Sequence, residues 1–333
     1  MRAIVLQGIG GDLDVDDVPV PQAGPGEAII KLTAAALNHR DIWIWKGQYA
    51  GLKFPIILGS DGAGVVVSVG ATEDEPWVGR DVIINPSLGW GSNQKAQDPA
   101  TFRILGLPDD GTFAEYVKVP VQNIAERPAH LSATEAAALP LAGLTAFRAV
   151  TTQGRAQPGE RVLVTGAGGG VSTYAVQFAA SLGAHVFVTS GSDEKLAKAS
   201  VLGAEGGVNY RSEGWDKKLL EMAGGQFDVI IDSAVGGQFN TLIEAATPGG
   251  RIVFYGATLG NPPEMNMRRI YWKQITVQGT TMGSPADFAV MVGHVNEKQI
   301  VPAIDRVFPL EKAKEAFTRM DEATQFGKLV LEI

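Results

Sequence analysis

Along the first 120 residues, apolar positions gather in short runs at 28–32, 64–70, 81–84 and 113–119, punctuated by Gly, Pro and Asp. Runs of this length, with no longer helical period, predict the strands of a compact, mostly antiparallel β domain. Between 85 and 111 the periodicity fades and turn residues accumulate. A connection of that length inside a domain carries a function or the relic of one.

From Ser132 the pattern turns helical. Ser132 and Glu135 have the spacing of a capping box, with an Ala/Leu-rich segment behind them. Strands then alternate with helices: strands at 161–165, 184–189, 207–210, 227–232, 251–255 and 275–279, with helices at 171–182 and 193–202 among the connections. Apolar strands alternating with helices predict a parallel sheet covered on both faces. The tail predicts a helix at 311–322 and a strand at 327–333 that rejoins the first domain. The expected division is therefore 1–120 with 300–333, and 121–299. No repeat or low-complexity segment interrupts it.

Composition narrows the chemistry. The 333 residues include no cysteine and only four histidines, His39, His130, His185 and His294, widely separated. Disulfides, iron–sulfur clusters, thiolate zinc sites and a cysteine nucleophile are excluded, and the helical His-x-x-x-His zinc pattern is absent. A net charge of −8, with no basic run, argues against a nucleic-acid partner. No uninterrupted apolar stretch reaches membrane-spanning length, and the N-terminus has no leader pattern, so a cytoplasmic chain is expected. Glycine is abundant, 41 residues, which implies tight turns and close backbone approaches.

The sharpest local signal is Val164-Thr165-Gly166-Ala167-Gly168-Gly169-Gly170-Val171-Ser172, between an expected strand and an expected helix. A pyrophosphate needs backbone N–H groups at a helix N-terminus with no side chains in the way. The three fingerprint positions read Ala167, Gly169 and Ser172, a degenerate form whose strand–turn–helix context points to a dinucleotide. An NAD site usually carries an acidic residue at the end of the next strand; here stand Thr189-Ser190-Gly191-Ser192, with Lys195 close behind. Small hydroxyls leave room for a 2′-phosphate and Lys195 would neutralise it. The competing readings are that Ser192 merely caps a helix, that Lys195 is solvated, or that Asp193 turns back toward the ribose and favours NAD.

With these features together, the chain resembles the medium-chain dehydrogenase/reductase superfamily over nearly its whole length. The run 159–177, GERVLVTGAGGGVSTYAVQ, is similar to the signature of the zinc-free quinone oxidoreductase/ζ-crystallin branch, as is 208–211, VNYR. LNHRD at 37–41 and GSDGAG at 59–64 resemble the superfamily's active-site landmarks. The implied fold class is α/β: an N-terminal GroES-like, mostly antiparallel β domain plus a Rossmann doubly wound parallel-sheet domain.

Zinc alcohol dehydrogenases of this superfamily hold their metal with a cysteine, a histidine and a second cysteine, and the matching positions here are Asn38, Ser60 and Leu141. Leucine cannot coordinate, and a neutral amide or hydroxyl binds zinc poorly, so no metal is expected. His39, Asp41 and Asp61 leave a makeshift site conceivable, but structural hydrogen bonding is the preferred reading of the two aspartates. The stretch 85–111 resembles the lobe that carries a four-cysteine structural zinc, without its cysteines, and it is longer than the connection in typical quinone oxidoreductases.

The resemblance implies NADPH-dependent hydride transfer to a quinone or an α,β-unsaturated carbonyl compound. Asn38 and Tyr49 are the candidate donors to the acceptor's oxygen, although an asparagine in a loop often binds its own backbone and a lone tyrosine often only packs. For the cofactor it implies Thr145 near the nicotinamide ribose; Gly169, Gly170 and Val171 at the pyrophosphate; and Ser190, Lys195 and Tyr210 at the 2′-phosphate. Ser233 falls near the adenine side. Phe254, Tyr255, Gly256, Ala257, Thr280, Thr281 and Met282 would flank the nicotinamide, and Lys328 would reach the cofactor from the tail. A homodimer pairing through 275–279 is the family-level expectation. The alternatives are an alcohol or aldehyde dehydrogenase with a non-standard metal site, and a crystallin-like NADPH-binding protein without significant turnover.

Overall fold

The computed structural model describes residues 1–333. Contacts divide the chain into two units, Met1–Leu144 with Gly283–Ile333, and Thr145–Met282. The helix Ala133–Ala138 packs on strands of the first unit, so the helical segment read with the nucleotide domain belongs with the β domain. Its buried residues are all alanine, Ala136, Ala137 and Ala138, small enough to let the helix lie close against a sheet. No helix is long and apolar enough to cross a membrane.

The first unit is built around the strand Glu27–Ala36, which pairs antiparallel with Asp61–Val69, with Tyr116–Pro120 and with the terminal strand Lys328–Glu332. The tail thus rejoins the front of the chain. Beyond it lies Ile304–Pro309, parallel to Lys328–Glu332. Two apolar clusters fill the unit; one gathers Phe113, Phe317 and Leu329 and the other Ile30, Val66 and Val117. The stretch 85–111 folds as a lobe with one short hairpin, Ser87–Leu88 against Arg103–Ile104. There Trp90 and Phe102 meet edge to face at 5.5 Å, which assigns these two aromatics to packing.

The second unit is a six-stranded, fully parallel sheet in the order Gly206–Asn209, His185–Ser190, Arg161–Val164, Phe227–Asp232, Ala246–Phe254, Thr276–Gly279. In chain order this is 3-2-1-4-5-6, the Rossmann arrangement, whose direction reverses between the first and fourth strands. Both faces of the sheet are buried: Leu163, Ile230 and Ile252 pack with Phe239 and Leu242, and the alternate positions Val164, Ile231 and Val253 are buried as well. The segments following Val164 and Asp232 leave the sheet at that reversal, where an open α/β sheet binds its ligand.

The backbone approaches closely at Gly64, opposite Leu32 where the register shifts. A Cβ there would lie 2.1 Å from the Lys31 carbonyl oxygen and 2.8 Å from Leu32 Cα. Gly64→Ala is therefore expected to destabilise the chain by ~2 kcal/mol or more through forced backbone displacement; an unchanged denaturant midpoint would contradict this.

Candidate functional site

In the first unit the chain leaves the buried strand Glu27–Ala36 and turns at Asn38 into the helix His39–Trp45. Asp41, third in the helix, accepts the Asn38 N–H at 2.8 Å, half of a capping box. Asp61 opens its own strand and is fully buried. Its Oδ2 accepts from Asn38 Nδ2 at 2.9 Å and from Lys328 Nζ at 3.0 Å, and its Oδ1 accepts from the Leu141 N–H at 2.7 Å. Lys328 Nζ also donates to Asn38 Oδ1 at 2.7 Å. Asn38 and Lys328, named separately from the sequence, thus meet on one carboxylate.

Ser60 belongs to a neighbouring network. Its hydroxyl receives a bond from Arg40 Nη1 at 2.7 Å and donates to the Leu105 carbonyl at 2.7 Å, which Arg40 Nη1 also reaches, at 2.8 Å. The guanidinium lies 5.1 Å from the centre of the Tyr49 ring, so a cation–π contact holds Tyr49 beside this network. Arg40 is the link by which the 85–111 lobe, through Leu105, grips the site. Trp45 donates to the Gly11 carbonyl and packs edge-on against Phe317, while Trp43 lies beside His39.

Zinc requires soft or anionic donors converging on one point. Here Asn38 Oδ1 faces an ammonium, the Ser60 hydroxyl lies between a guanidinium and a carbonyl, Leu141 offers no donor side chain, and both Asp61 oxygens are engaged. No group of three or more His, Asp or Glu side chains gathers elsewhere. The donor set does not fit the metal.

In the second unit, the turn after Arg161–Val164 delivers the chain into the helix Gly170–Ser181 through Gly166 at φ +67° and Gly168 at φ +117°, backbone that favours glycine. Ser172, at the third fingerprint position, closes the turn by hydrogen bonds to the Gly166 and Gly169 carbonyls, both at 2.9 Å. The helix is capped by Gly169 with no side-chain bond. Its first N–H groups, from Gly170 and Val171, lack intrahelical partners, as an anion site requires.

At the end of the next strand, Ser190 donates to the Ala167 carbonyl at 3.2 Å, joining strand end and turn. Ser192 caps the helix Asp193–Val201. Asp193 accepts from Asn209 Nδ2 at 2.9 Å, which engages the one acidic group that competes for the ribose. A Cβ at Gly191 would lie 2.7 Å from the Tyr210 hydroxyl and 3.0 Å from Arg211 Nε. Tyr210 and Arg211 therefore cover this loop together. Arg211 is a residue the sequence reading missed; its only signal was adjacency to Tyr210 in the VNYR run.

The loop after Phe227–Asp232 is organised by Asp232, whose carboxylate accepts from Thr165 Oγ1 at 2.5 Å and from the N–H groups of Ala234 and Val235. This sets Ser233 beside Gly166, 3.4 Å from where a Cβ would stand. Tyr255 shares a side-chain hydrogen bond with Ser233, and burial holds its phenol protonated at all ordinary pH. The Gly256 backbone approaches the Ser233 carbonyl, and the Thr280 N–H donates to the Phe254 carbonyl at 3.0 Å. Thr145 Oγ1 lies 4.0 Å from the Met282 sulfur. Ala257 and Thr281 are exposed. Thr280 Oγ1 is buried and without a partner, as expected of a group waiting for a ligand's polar atom. Open helix N–H groups, glycine backbone and this unsatisfied hydroxyl fit a dinucleotide.

Comparison with known proteins agrees with both units. The family model "Alcohol dehydrogenase GroES-like domain" matches residues 24–129, and "Zinc-binding dehydrogenase" matches residues 170–297. The zinc-type alcohol dehydrogenase-like protein YogA of Leptosphaeria maculans is 38% identical over 96% of this chain and 94% of its own. A chloroplastic quinone-oxidoreductase homologue of Spinacia oleracea is 31% identical over 100% of this chain and 98% of its own. A crystal structure of an NAD-dependent alcohol dehydrogenase superposes with TM-score 0.92 at 38% identity, covering 100% of each chain. These matches define a two-domain oxidoreductase of the pyridine-nucleotide type. The chain belongs to the medium-chain dehydrogenase/reductase superfamily.

Two groups near Asn38 have shifted titrations. His39 keeps an exposed edge, yet crowding by surrounding protein and the Lys328 charge hold its imidazole below the usual value. Burial pushes the Asp41 carboxyl up to about 6, against the opposing pull of Arg40 and the Asn38 N–H, and its Oδ1 has no partner. A folded value above the unfolded one means that protonation favours the fold: the contribution is full at low pH and is lost as pH rises through about 6. Asp41→Asn removes this titration. Wild type should gain on the variant by ~2 kcal/mol in denaturant unfolding as pH falls from about 7 to about 4; a pH-independent gap would contradict the shift.

Proposed function

We propose that this chain is a zinc-independent, NADPH-dependent reductase that passes hydride to a quinone or an α,β-unsaturated carbonyl compound. The observation that carries the reading is the occupation of the three metal-ligand positions by internal bonds: Asn38 by Lys328 and Asp61, Ser60 by Arg40, and the Leu141 N–H by Asp61. Without a Lewis acid, an alcohol's proton is hard to remove near neutral pH, whereas an acceptor that is already electrophilic needs only hydrogen-bond donors. The preference for NADPH rests on Tyr210 and Arg211 over Gly191, on Ser190 at the strand end and Lys195 in the first turn of the following helix, and on Asp193 turned to Asn209.

When bound, the reduced nicotinamide supplies the hydride. The chain's part is positioning and charge. Gly169, Gly170 and Val171 hold the pyrophosphate on backbone N–H groups, and Ser233 the adenosine. Phe254, Tyr255, Gly256, Ala257, Thr280, Thr281, Met282 and Thr145 form the nicotinamide side. In an enone, hydride joins the β carbon, the double-bond pair shifts toward the carbonyl, and negative charge collects on its oxygen. Asn38 donates to that oxygen, and Tyr49 stacks on the acceptor's flat face or donates to it. Water supplies the proton that completes the saturated ketone. Exposed Tyr271 and Trp272, beside the edge strand Thr276–Gly279, support a homodimer.

A second reading, NAD-dependent alcohol oxidation with a differently held metal, is favoured by the names of several relatives and by the zinc-binding family model. Nicotinamide absorbance followed across quinones, enones, aldehydes and alcohols separates the two. NADPH consumption with quinones or enones is expected; NAD reduction by alcohols alone would favour the second reading. Tight NADPH binding with no turnover would favour a nucleotide-binding role. Lys195→Ala and Arg211→Ala should each raise KM for NADPH by ~10-fold or more, as loss of a charge-assisted phosphate contact does, and leave NADH nearly unaffected. Equal effects on both cofactors would refute the 2′-phosphate assignment.

A further inference from the structure

Arg40 is 5% exposed, yet every hydrogen bond of its guanidinium goes to a neutral oxygen. Nη1 donates to the Ser60 hydroxyl and the Leu105 carbonyl, Nη2 reaches the Leu107 carbonyl at 3.5 Å, and the buried Nε has no partner. The carboxylate next in sequence, Asp41, accepts from the Asn38 N–H instead. A buried cation without a bonded anion is costly. Fastening the 85–111 lobe does not require one, since a neutral amide would also donate to a carbonyl. What the charge meets besides these oxygens is the Tyr49 ring, with the guanidinium carbon over it at 5.1 Å.

The turn after the helix His39–Trp45 sets the backbone of Tyr49. The Gln48 N–H donates to the Trp43 carbonyl, and Gly47, at φ +74°, has the Ile9 side chain 2.8 Å from where a Cβ would stand. The ring packs against the cluster that contains Phe113 and Phe317 and stays half-buried. With the guanidinium over one face, the hydroxyl and the opposite face are left for a ligand. A cation behind the ring also favours a negative partner in front of it over a neutral one.

We propose that Arg40 is a positioning residue for the acceptor: its buried charge pins Tyr49 by one face, presents the phenol to the acceptor's oxygen, and favours the state in which that oxygen has become negative. The Leu105 and Leu107 carbonyls aim the guanidinium, so the 85–111 lobe acts on the acceptor through Arg40. The catalytic consequence rests on the reductase reading above; the grip of Arg40 on Tyr49 does not.

Full-length wild type, Arg40→Gln, Tyr49→Leu and the double variant form the test, with Arg40→Lys beside them. Glutamine keeps a donor for the Leu105 carbonyl and removes the charge; lysine keeps the charge without the planar fork. With a benzoquinone or cyclohexenone acceptor, Arg40→Gln is expected to lower kcat by ~10-fold or more and leave KM for NADPH unchanged. In the Tyr49→Leu background the same substitution should cost ~3-fold at most, because the residue through which Arg40 acts is gone. Arg40→Lys should fall between wild type and Arg40→Gln, and its own comparison in the two backgrounds gives the same reading should the glutamine variant not fold. Equal losses in the two backgrounds, or a lysine variant no better than the glutamine one, would overturn the proposal. If wild type reduces neither acceptor, the reductase reading fails, and the grip on Tyr49 is decided by the melting temperatures of the same proteins. Losses that are non-additive by ~1 °C or more are expected; additive losses would refute it.

Discussion

The carboxylate of Asp61 cannot be left unpaired. It has no contact with water, and an uncompensated buried charge would cost more than most single interactions in a domain return. Satisfying it recruits a side chain from the cap of the helix His39–Trp45, an ammonium from the last strand, and a backbone N–H from the helix Pro140–Phe147. Four separate segments of the first unit are therefore held by one group. The antiparallel pairing of Lys328–Glu332 with Glu27–Ala36 brings the ammonium into place, and Thr112 fastens the Asp61 carbonyl from a further loop at 2.8 Å. The geometry of Asn38 is a consequence of this constraint rather than of its own loop.

That arrangement is the basis of the metal-free reading proposed for this member of the superfamily. At the positions that match the superfamily's metal ligands, the polar groups of Asn38, Ser60 and Leu141 are each engaged in internal hydrogen bonds. Asp61 and Lys328 form a buried ion pair beside Asn38, and Arg40 ties Ser60 to the 85–111 lobe. Under the proposed reading, charge stabilisation in such a centre comes from fixed hydrogen-bond donors. The nucleotide-binding unit follows the same economy: Asp232 holds one loop and Ser172 the other, leaving glycine backbone and helix N–H groups open.

Much of the fold was legible because it is local. The strand Phe227–Asp232 occupies its expected residues, and the glycine-rich turn enters its helix at Gly170, one residue from the expected start. Period-2 and period-3.6 patterns report burial over a few neighbouring residues, and burial is what fixes these elements. The tail's return to the first sheet was also readable. The site was legible only in its members. Asn38 and Lys328 could each be named, but their meeting depends on an ion pair spanning 267 residues of sequence, for which no local pattern exists. Arg211 escaped because a lone arginine after a strand looks like a solvated charge, and only the crowding over Gly191 reveals it. The strand Ile304–Pro309 escaped because its outward residues are mostly exposed or half-buried and carry a weak alternation.

The proposed hydride transfer proceeds without a metal. It is tested most directly by the steady-state rate of NADPH oxidation with a quinone or enone acceptor after exhaustive chelation, with metal content measured on the same sample. A metal-free protein with the activity of the untreated one is expected. Loss of activity on chelation, restored by stoichiometric zinc, would contradict it.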